Sequence, residues 1–223
     1  MKNVILMKVT SRGRPTELIK AIKSYVDLAA DTQNMVWLFS FDEDDKDYYK
    51  KEFVEQIGHI VPGSPSIIFG TSTDKINAIN RDVNEFYRHW DVLLNISDDQ
   101  LPIVKGYDEY IRRAFYIHGL DKSLWFHDGH QYDISTQEIV GRTYYERDRF
   151  IYDPRFKSFF CDNWSNYVAR ARGCQIRNPK CIIKHLHPAW EKSTHMTNDF
   201  LYQRNNKFWD QDRAMFHKIK STL

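Results

Sequence analysis

VLLNISDDQLPI, residues Val92–Ile103, is the stretch on which the reading of this chain turns. Val92 to Ile96 is a short apolar run interrupted by one Asn, the pattern of a strand buried on both faces. It stops at Ser97-Asp98-Asp99, and Pro102 marks the loop beyond. Adjacent carboxylates at the lip of a core are costly unless water, a proton or a cation compensates them. As a surface turn rich in Asp the stretch would carry no function. At the end of a parallel strand it would face a ligand. The residues around it distinguish the two.

Upstream, Val4 to Val9 is an apolar run broken only by Lys8, and it ends in Thr10-Ser11-Arg12-Gly13-Arg14-Pro15. Pro15 suits the first turn of a helix, and Leu18, Ile22, Tyr25 and Ala29 follow at helical spacing. Met35 to Phe41 is the next apolar run, ending in Asp42-Glu43-Asp44-Asp45; a helix is expected over 47–57. Ser66 to Phe69 reads as a short strand between Pro65 and Gly70. Ser72 or Thr73 then caps a helix expected to carry Ile76, Ile79, Val83, Phe86 and Trp90 on one face. Strands alternating with helices in this way predict an α/β fold with a mainly parallel sheet flanked by helices. Ligands bind outside the carboxyl ends of such strands. Thr10–Arg12, Asp42–Asp45, Gly70–Ser72 and Asp98-Asp99 are therefore expected to converge on one cleft.

Beyond Asp99 the alternation stops. Helices are expected over 107–118, 142–150, 162–172 and 199–219, with short strands over 123–127, 137–140 and 181–184, the last running into His185-Leu186-His187-Pro188. With no linker or repeat, 223 residues read as one domain: a ligand-binding half over 1–100 and an irregular half over 101–223 ending in a helix. The net charge of +2 is too small for a dedicated nucleic-acid binder. No apolar run reaches the length of a membrane span. The N-terminus is too soon charged for a signal peptide. Three cysteines, an odd number, argue for a reducing, cytoplasmic compartment rather than a disulfide framework.

Several residue sets could carry chemistry, each with a plainer alternative. Asp98 and Asp99 could hold Mg²⁺ or Mn²⁺ together with substrate phosphates. His185 and His187, two apart in a strand, share a face and could add an imidazole, or could simply be hydrogen-bonded at a strand end. Cys161, Cys174 and Cys181 lack the paired spacing of a zinc site and read as buried thiols. Arg12 and Arg14 could meet phosphate or merely precede a helix; the loop matches neither a dinucleotide fingerprint nor an NTPase loop. Lys75 and Asn80 could contact a ligand or lie on a solvated face. Asp162, among aromatics in Phe160-Cys161-Asp162-Asn163-Trp164, could be a base of raised pKa or a helix cap. Asp128 before Gly129 could be a plain turn.

The ordered set VTSRGRP, SFDEDD, TDKINAINRDVN, NISDDQLP, FHDG, FCDNW and HLHP resembles the GT-A fold nucleotide-sugar glycosyltransferases, most closely the large family-2 type. The resemblance covers nearly the whole chain and implies a GT-A, Rossmann-like sheet and transfer of a sugar from a nucleoside diphosphate donor, UDP before others, to a saccharide or other hydroxyl acceptor. By that resemblance Thr10, Ser11, Arg12, Arg14 and Pro15 would lie against the nucleotide, Asp42 or Asp44 would accept from the base, and Lys75 and Asn80 would contact nucleotide or diphosphate. Asp98, Asp99 and His187 would hold Mn²⁺ or Mg²⁺, with one of the two Asp turned to ribose. Asp162 would be the base of an inverting reaction, and Asp128, Gly129 and Trp164 would border sugar and acceptor. The chain departs from the family pattern at Ile96-Ser97-Asp98-Asp99, where relatives carry D-x-D-D, and at Cys161-Asp162, where they carry Glu-Asp. A degenerate nucleotide-sugar-binding protein and a nucleotidyltransferase are the alternative readings. A hydroxymethylated DNA base is the less favoured acceptor.

Overall fold

The computed structural model describes residues 3–187 and 200–221. Pro188 and Asp199, at the edges of two of the expected elements, lie outside them. The first hundred residues form β1 (Ile5–Thr10), α1 (Pro15–Asp27), β2 (Met35–Asp42), α2 (Lys51–Ile60), β3 (Ser66–Gly70), α3 (Lys75–Asn80), β4 (Val92–Ile96) and β5, which starts at Gln100 and ends at Pro102. Then come α4 (Tyr107–His118), β6 (Ser123–Phe126), β7 (Ile139–Gly141), α5 (Arg142–Asp148), α6 (Cys161–Ala171), β8 (Gln175–Asn178), β9 (Ile183–His185), α7 (Phe200–Asn206) and α8 (Trp209–Lys220).

The described residues form a seven-stranded sheet of order β3-β2-β1-β4-β7-β6-β8 and a two-stranded ribbon of β5 with β9. β3, β2, β1 and β4 are mutually parallel, and β7 runs against both β4 and β6. The central strands are buried on both faces, which is why their sequences run apolar without alternation. On one face Ile5, Met7 and Val9 pack with the inner sides of α1, α2 and α4. On the other, Leu6, Leu38 and Leu93 pack with α3, α5, α6 and the end of α8. Lys8 breaks the run yet is fully buried. Its ammonium donates to Ser40 Oγ, which donates onward to Asp82, and burial pulls its pKa down to about 7.

Four elements differ from the sequence expectation. The helix expected to reach Trp90 ends at Asn80, because Arg81 turns extended (ψ 147°) and Asp82 after it takes a left-handed φ of 72°. Val83, Phe86 and Trp90 are buried all the same, from an irregular segment. β5 and β8 were not expected. Gln175–Asn178 offers only Ile176 as an apolar anchor and is an edge strand. β5 exists only because β9 pairs with it in antiparallel register. The C-terminal helix is two helices, parted at Lys207-Phe208.

Candidate active site

The strand ends do converge. A cavity of about 680 Å³ opens at the carboxyl edge of the parallel strands. One wall takes Thr10, Ser11, Arg12 and Arg14 from the end of β1 and the loop after it, Asp42 from β2, Lys75 from the start of α3, and Asp98 and Asp99 from the turn after β4. The opposite wall takes Phe159 and Phe160 from just before α6, Asp162 from its first turn, His185 from the end of β9 and His187 from just beyond it.

The two adjacent carboxylates are in different states. Asp98 Oδ1 accepts from Arg14 Nη1 at 3.1 Å, and Oδ2 accepts from Ser11 Oγ. Both Asp98 and Arg14 are buried. Burial first, and then the neighbouring Asp99, push Asp98 up to about 6. Asp99 Oδ1 accepts from Ser97 Oγ at 2.6 Å, and Oδ2 lies 3.4 Å from His185 Nε2. Burial works to raise Asp99, but the facing His185 outweighs it and holds the carboxyl well below the usual range. His185 is raised in turn: burial opposes its charge, and Asp99 overcomes that. His187 is lowered, by burial and by His185, and so is kept as neutral imidazole.

The arginines named from sequence are already engaged. Arg12 makes paired bonds to Asp44 at 2.7 and 2.8 Å and a third to Asp42 at 2.7 Å. Arg81, grouped in the sequence with Lys75 and Asn80 after the third strand, also reaches Asp42 and donates to the Phe41 carbonyl. The cations that border the cavity without a carboxylate partner among the described residues are Lys75, Arg204 of α7 and Lys207 between the two C-terminal helices. The last two were not singled out from sequence, where they looked like any solvated face of an amphipathic tail.

Asp162 occupies the first turn of α6, after Phe160 has taken a left-handed φ of 58°. Its Oδ1 accepts from the Asn163 N–H at 2.8 Å, and burial raises its pKa. The loop in front is fixed from afar. Buried Asp212 of α8 accepts from the backbone N–H groups of Lys157, Ser158 and Phe159 at 2.8–3.2 Å.

Six residues singled out from sequence do not border the cavity. Pro15 starts α1, and Asp44 is turned outward with Arg12. Asn80 is spent on the backbone of Ile151 and Tyr152, accepting at 2.9 and 3.0 Å and donating at 2.6 Å. Asp128 organises its own loop, accepting from the His130 and Gln131 N–H groups and from Thr136. Gly129 supplies that loop's φ of 98°. Trp164 is buried and donates to Asp153.

Among the described residues, no three His, Cys, Asp or Glu side chains are gathered as a ready cation site. The donor chemistry nevertheless suits a hard cation. Asp98 is committed to Arg14 and Ser11, but Asp99 and the neutral His187 border the same cavity. Mg²⁺ and Mn²⁺ are commonly held by one or two protein ligands, with substrate phosphates and water completing the shell.

No family model matches the chain, and no curated protein matches it by sequence. Solved structures do match. A Pyrobaculum calidifontis mannosyltransferase in complex with GDP-Man and Mn²⁺ superposes with a TM-score of 0.68 at 9% identity, over 85% of this chain and 59% of that one. S. aureus TarS 1-349 in complex with UDP-GlcNAc gives 0.64 at 12% identity, over 91% and 64%. The fold is GT-A. The catalytic domain of Drosophila β1,4-galactosyltransferase 7, in complex with xylobiose, shares the GT-A fold at a TM-score of 0.51, with 12% identity over 92% and 79%. The chain thus spans about three fifths of the mannosyltransferase and of TarS 1-349. No helix among its described residues is long and apolar enough to cross a membrane.

Proposed function

We propose that the chain is a glycosyltransferase that moves a sugar from a nucleoside diphosphate sugar, UDP before others, to a hydroxyl acceptor with inversion. One observation carries the reading: a single cavity holds the paired Asp98–Asp99 turn on one wall and a half-buried Asp162 of raised proton affinity on the other. Residues 1–100 form the donor half of one domain, and residues 101–223 supply the acceptor side.

Asp98, fixed by Arg14 and Ser11, is free of cation duty and faces the donor's ribose. Asp99 and His187 hold Mn²⁺ or Mg²⁺, which when bound supplies Lewis-acid neutralisation of the leaving diphosphate. Lys75, Arg204 and Lys207 add positive charge to the same wall; Arg12, already paired, does not. Asp162 takes the acceptor's hydroxyl proton as that oxygen attacks the anomeric carbon from the face opposite the diphosphate. A carboxylate whose proton affinity is raised by burial is the better base for this step. A saccharide acceptor is preferred to a nucleic-acid one, because a net charge of +2 supplies little phosphate attraction. The free cysteines accord with a reducing, cytoplasmic setting.

The test begins with thermal stabilisation by a panel of sugar nucleotides, since a ligand that binds the folded state raises its stability. Transfer is then measured with Mn²⁺, with Mg²⁺ and with chelator. A UDP-sugar should stabilise most, and chelator should abolish transfer; full turnover in chelator removes the cation from the scheme. Binding without turnover would mark a degenerate binder, and pyrophosphate release a nucleotidyltransferase.

A further inference from the structure

A buried polar segment joins the two walls of the cavity. Ser135, Thr136, Gln137 and Glu138 lead into β7; the first, third and fourth are buried, and between them they meet α6, His185, the turn after β4 and Asn95. The Ser135 N–H donates to Asn166 Oδ1 at 3.0 Å, and the Ser135 carbonyl accepts from Asn166 Nδ2 at 2.9 Å. The same Nδ2 donates to the Asp162 carbonyl at 2.9 Å. Asn166, itself buried, therefore clips the turn bearing Asp162 to the segment. Thr136 Oγ1 donates to Asp128 at 2.6 Å and lies 3.1 Å from His185 Nδ1. Its carbonyl accepts from Gln100 Nε2 at 3.0 Å, the residue directly after Asp99. Gln137 Nε2 donates to the Asn95 carbonyl at 2.8 Å, and the Asn95 N–H donates to the Glu138 carbonyl at 3.0 Å. Glu138 accepts from Ser165 at 2.7 Å and from Ser123 at 3.3 Å.

Connected buried hydrogen bonds select one arrangement, because each partner lost leaves a polar group stranded in a low dielectric. We propose that residues 135–138, with Asn166 as their clip, are a positioning spine that registers Asp162 against the Asp98–Asp99 turn. Asn166 then governs the chemical step, and Thr136 governs donor and cation binding. Neither touches reacting atoms; both are positioning residues. This rests on the reading of Asp162 as base and Asp99 as cation ligand.

The test uses the full chain with Asn166→Ala and Thr136→Val. Transfer gives kcat and KM, calorimetry gives the affinity for UDP with Mn²⁺, and NMR gives hydrogen exchange at the Asn163 amide, whose N–H is bonded to Asp162. Asn166→Ala should lower kcat on the order of 10–100-fold, since small misplacements of reacting groups are that costly. It should speed Asn163 exchange while UDP affinity stays within about twofold. Thr136→Val should weaken UDP–Mn²⁺ binding about tenfold, as loss of a bond behind a ligand does, with kcat at saturation nearly unchanged. Asp108→Asn, at a carboxylate that accepts from the Ala30 and Asp31 N–H groups and neither borders the cavity nor meets the spine, should lower Tm and alter neither readout. Should Asn166→Ala fail to fold, Asn166→Asp keeps the acceptor and loses both donor bonds, and the same split is expected. Parallel loss of kcat and affinity tracking Tm in both variants overturns the spine. If the wild type binds UDP but transfers nothing, the base reading fails; the spine then stands or falls on Asn163 exchange and UDP–Mn²⁺ affinity alone, and unchanged values of both overturn it.

Discussion

On the donor wall the carboxylates at the strand ends meet cations of their own chain: Asp98 meets Arg14, Asp42 meets Arg12 and Arg81, and Asp99 faces His185. Asp162, across the cavity, and Glu138, behind its lining, are held at contact distance by neutral donors, a backbone N–H in one case and two serine hydroxyls in the other. Charge compensation fixes the donor wall before any ligand arrives. Burial without a contacting cation keeps proton affinity high on the acceptor wall. The first arrangement suits binding and orientation, the second proton transfer.

Four substitutions test that contrast, from the largest expected effect to the smallest. Asp162→Asn should cut transfer by about 10²–10⁴-fold, the usual worth of a general base, while calorimetry finds UDP affinity intact. Unchanged turnover would move the base elsewhere. Arg14→Met strands Asp98 in the interior and should destabilise the fold by about 3–5 kcal/mol, as breaking a buried pair from one side does, read from urea unfolding. A loss below about 1 kcal/mol would mean that Asp98 is compensated by something else.

Glu138→Gln tests the acceptor wall through pH. Burial raises Glu138 from 4.5 to about 7, so the folded chain keeps a proton there that the unfolded chain has lost. Its contribution to stability is fullest below about pH 4.5 and declines as pH rises towards 7. Removing the group should flatten the fall in stability across that window, on the order of 2 kcal/mol. Identical slopes in variant and wild type would show that Glu138 is already ionised. Arg12→Gln should cost least, under about 1 kcal/mol, because its partner Asp44 is 69% exposed and solvent screens the pair. UDP affinity should fall less than about twofold; a large loss would return Arg12 to the diphosphate.

The regular half of the fold was readable because each parallel strand is a mainly apolar run, interrupted at most once and ended by polar residues, and that pattern needs no tertiary information. The same logic foretold that Ser11, Asp42 and Asp98-Asp99 would converge. It failed where pairing decides the element. β5 and β8 are too short and polar to announce themselves, and the left-handed turn at Asp82 ended a helix whose apolar spacing continued. That Asn80 and Trp164 bond their neighbours outside the cavity lining was not legible, because a polar tip beside a site motif looks alike whether it meets a ligand or another part of the chain. Arg204 and Lys207 gave no signal, since a basic helix face becomes part of a cavity only once the helix has docked.

The sequence by itself determined the sheet, its order of βα units through β4, and the acidic turn at the end of that strand, because periodicity and strand-end chemistry are local. Tertiary structure alone decided that Asp98 belongs to Arg14 and Asp99 faces His185. It also decided that Asp162 lies across the same cavity, tied to both through residues 135–138. Those relations join residues tens of positions apart, and burial, which sets the charge state of each, exists only in the packed chain.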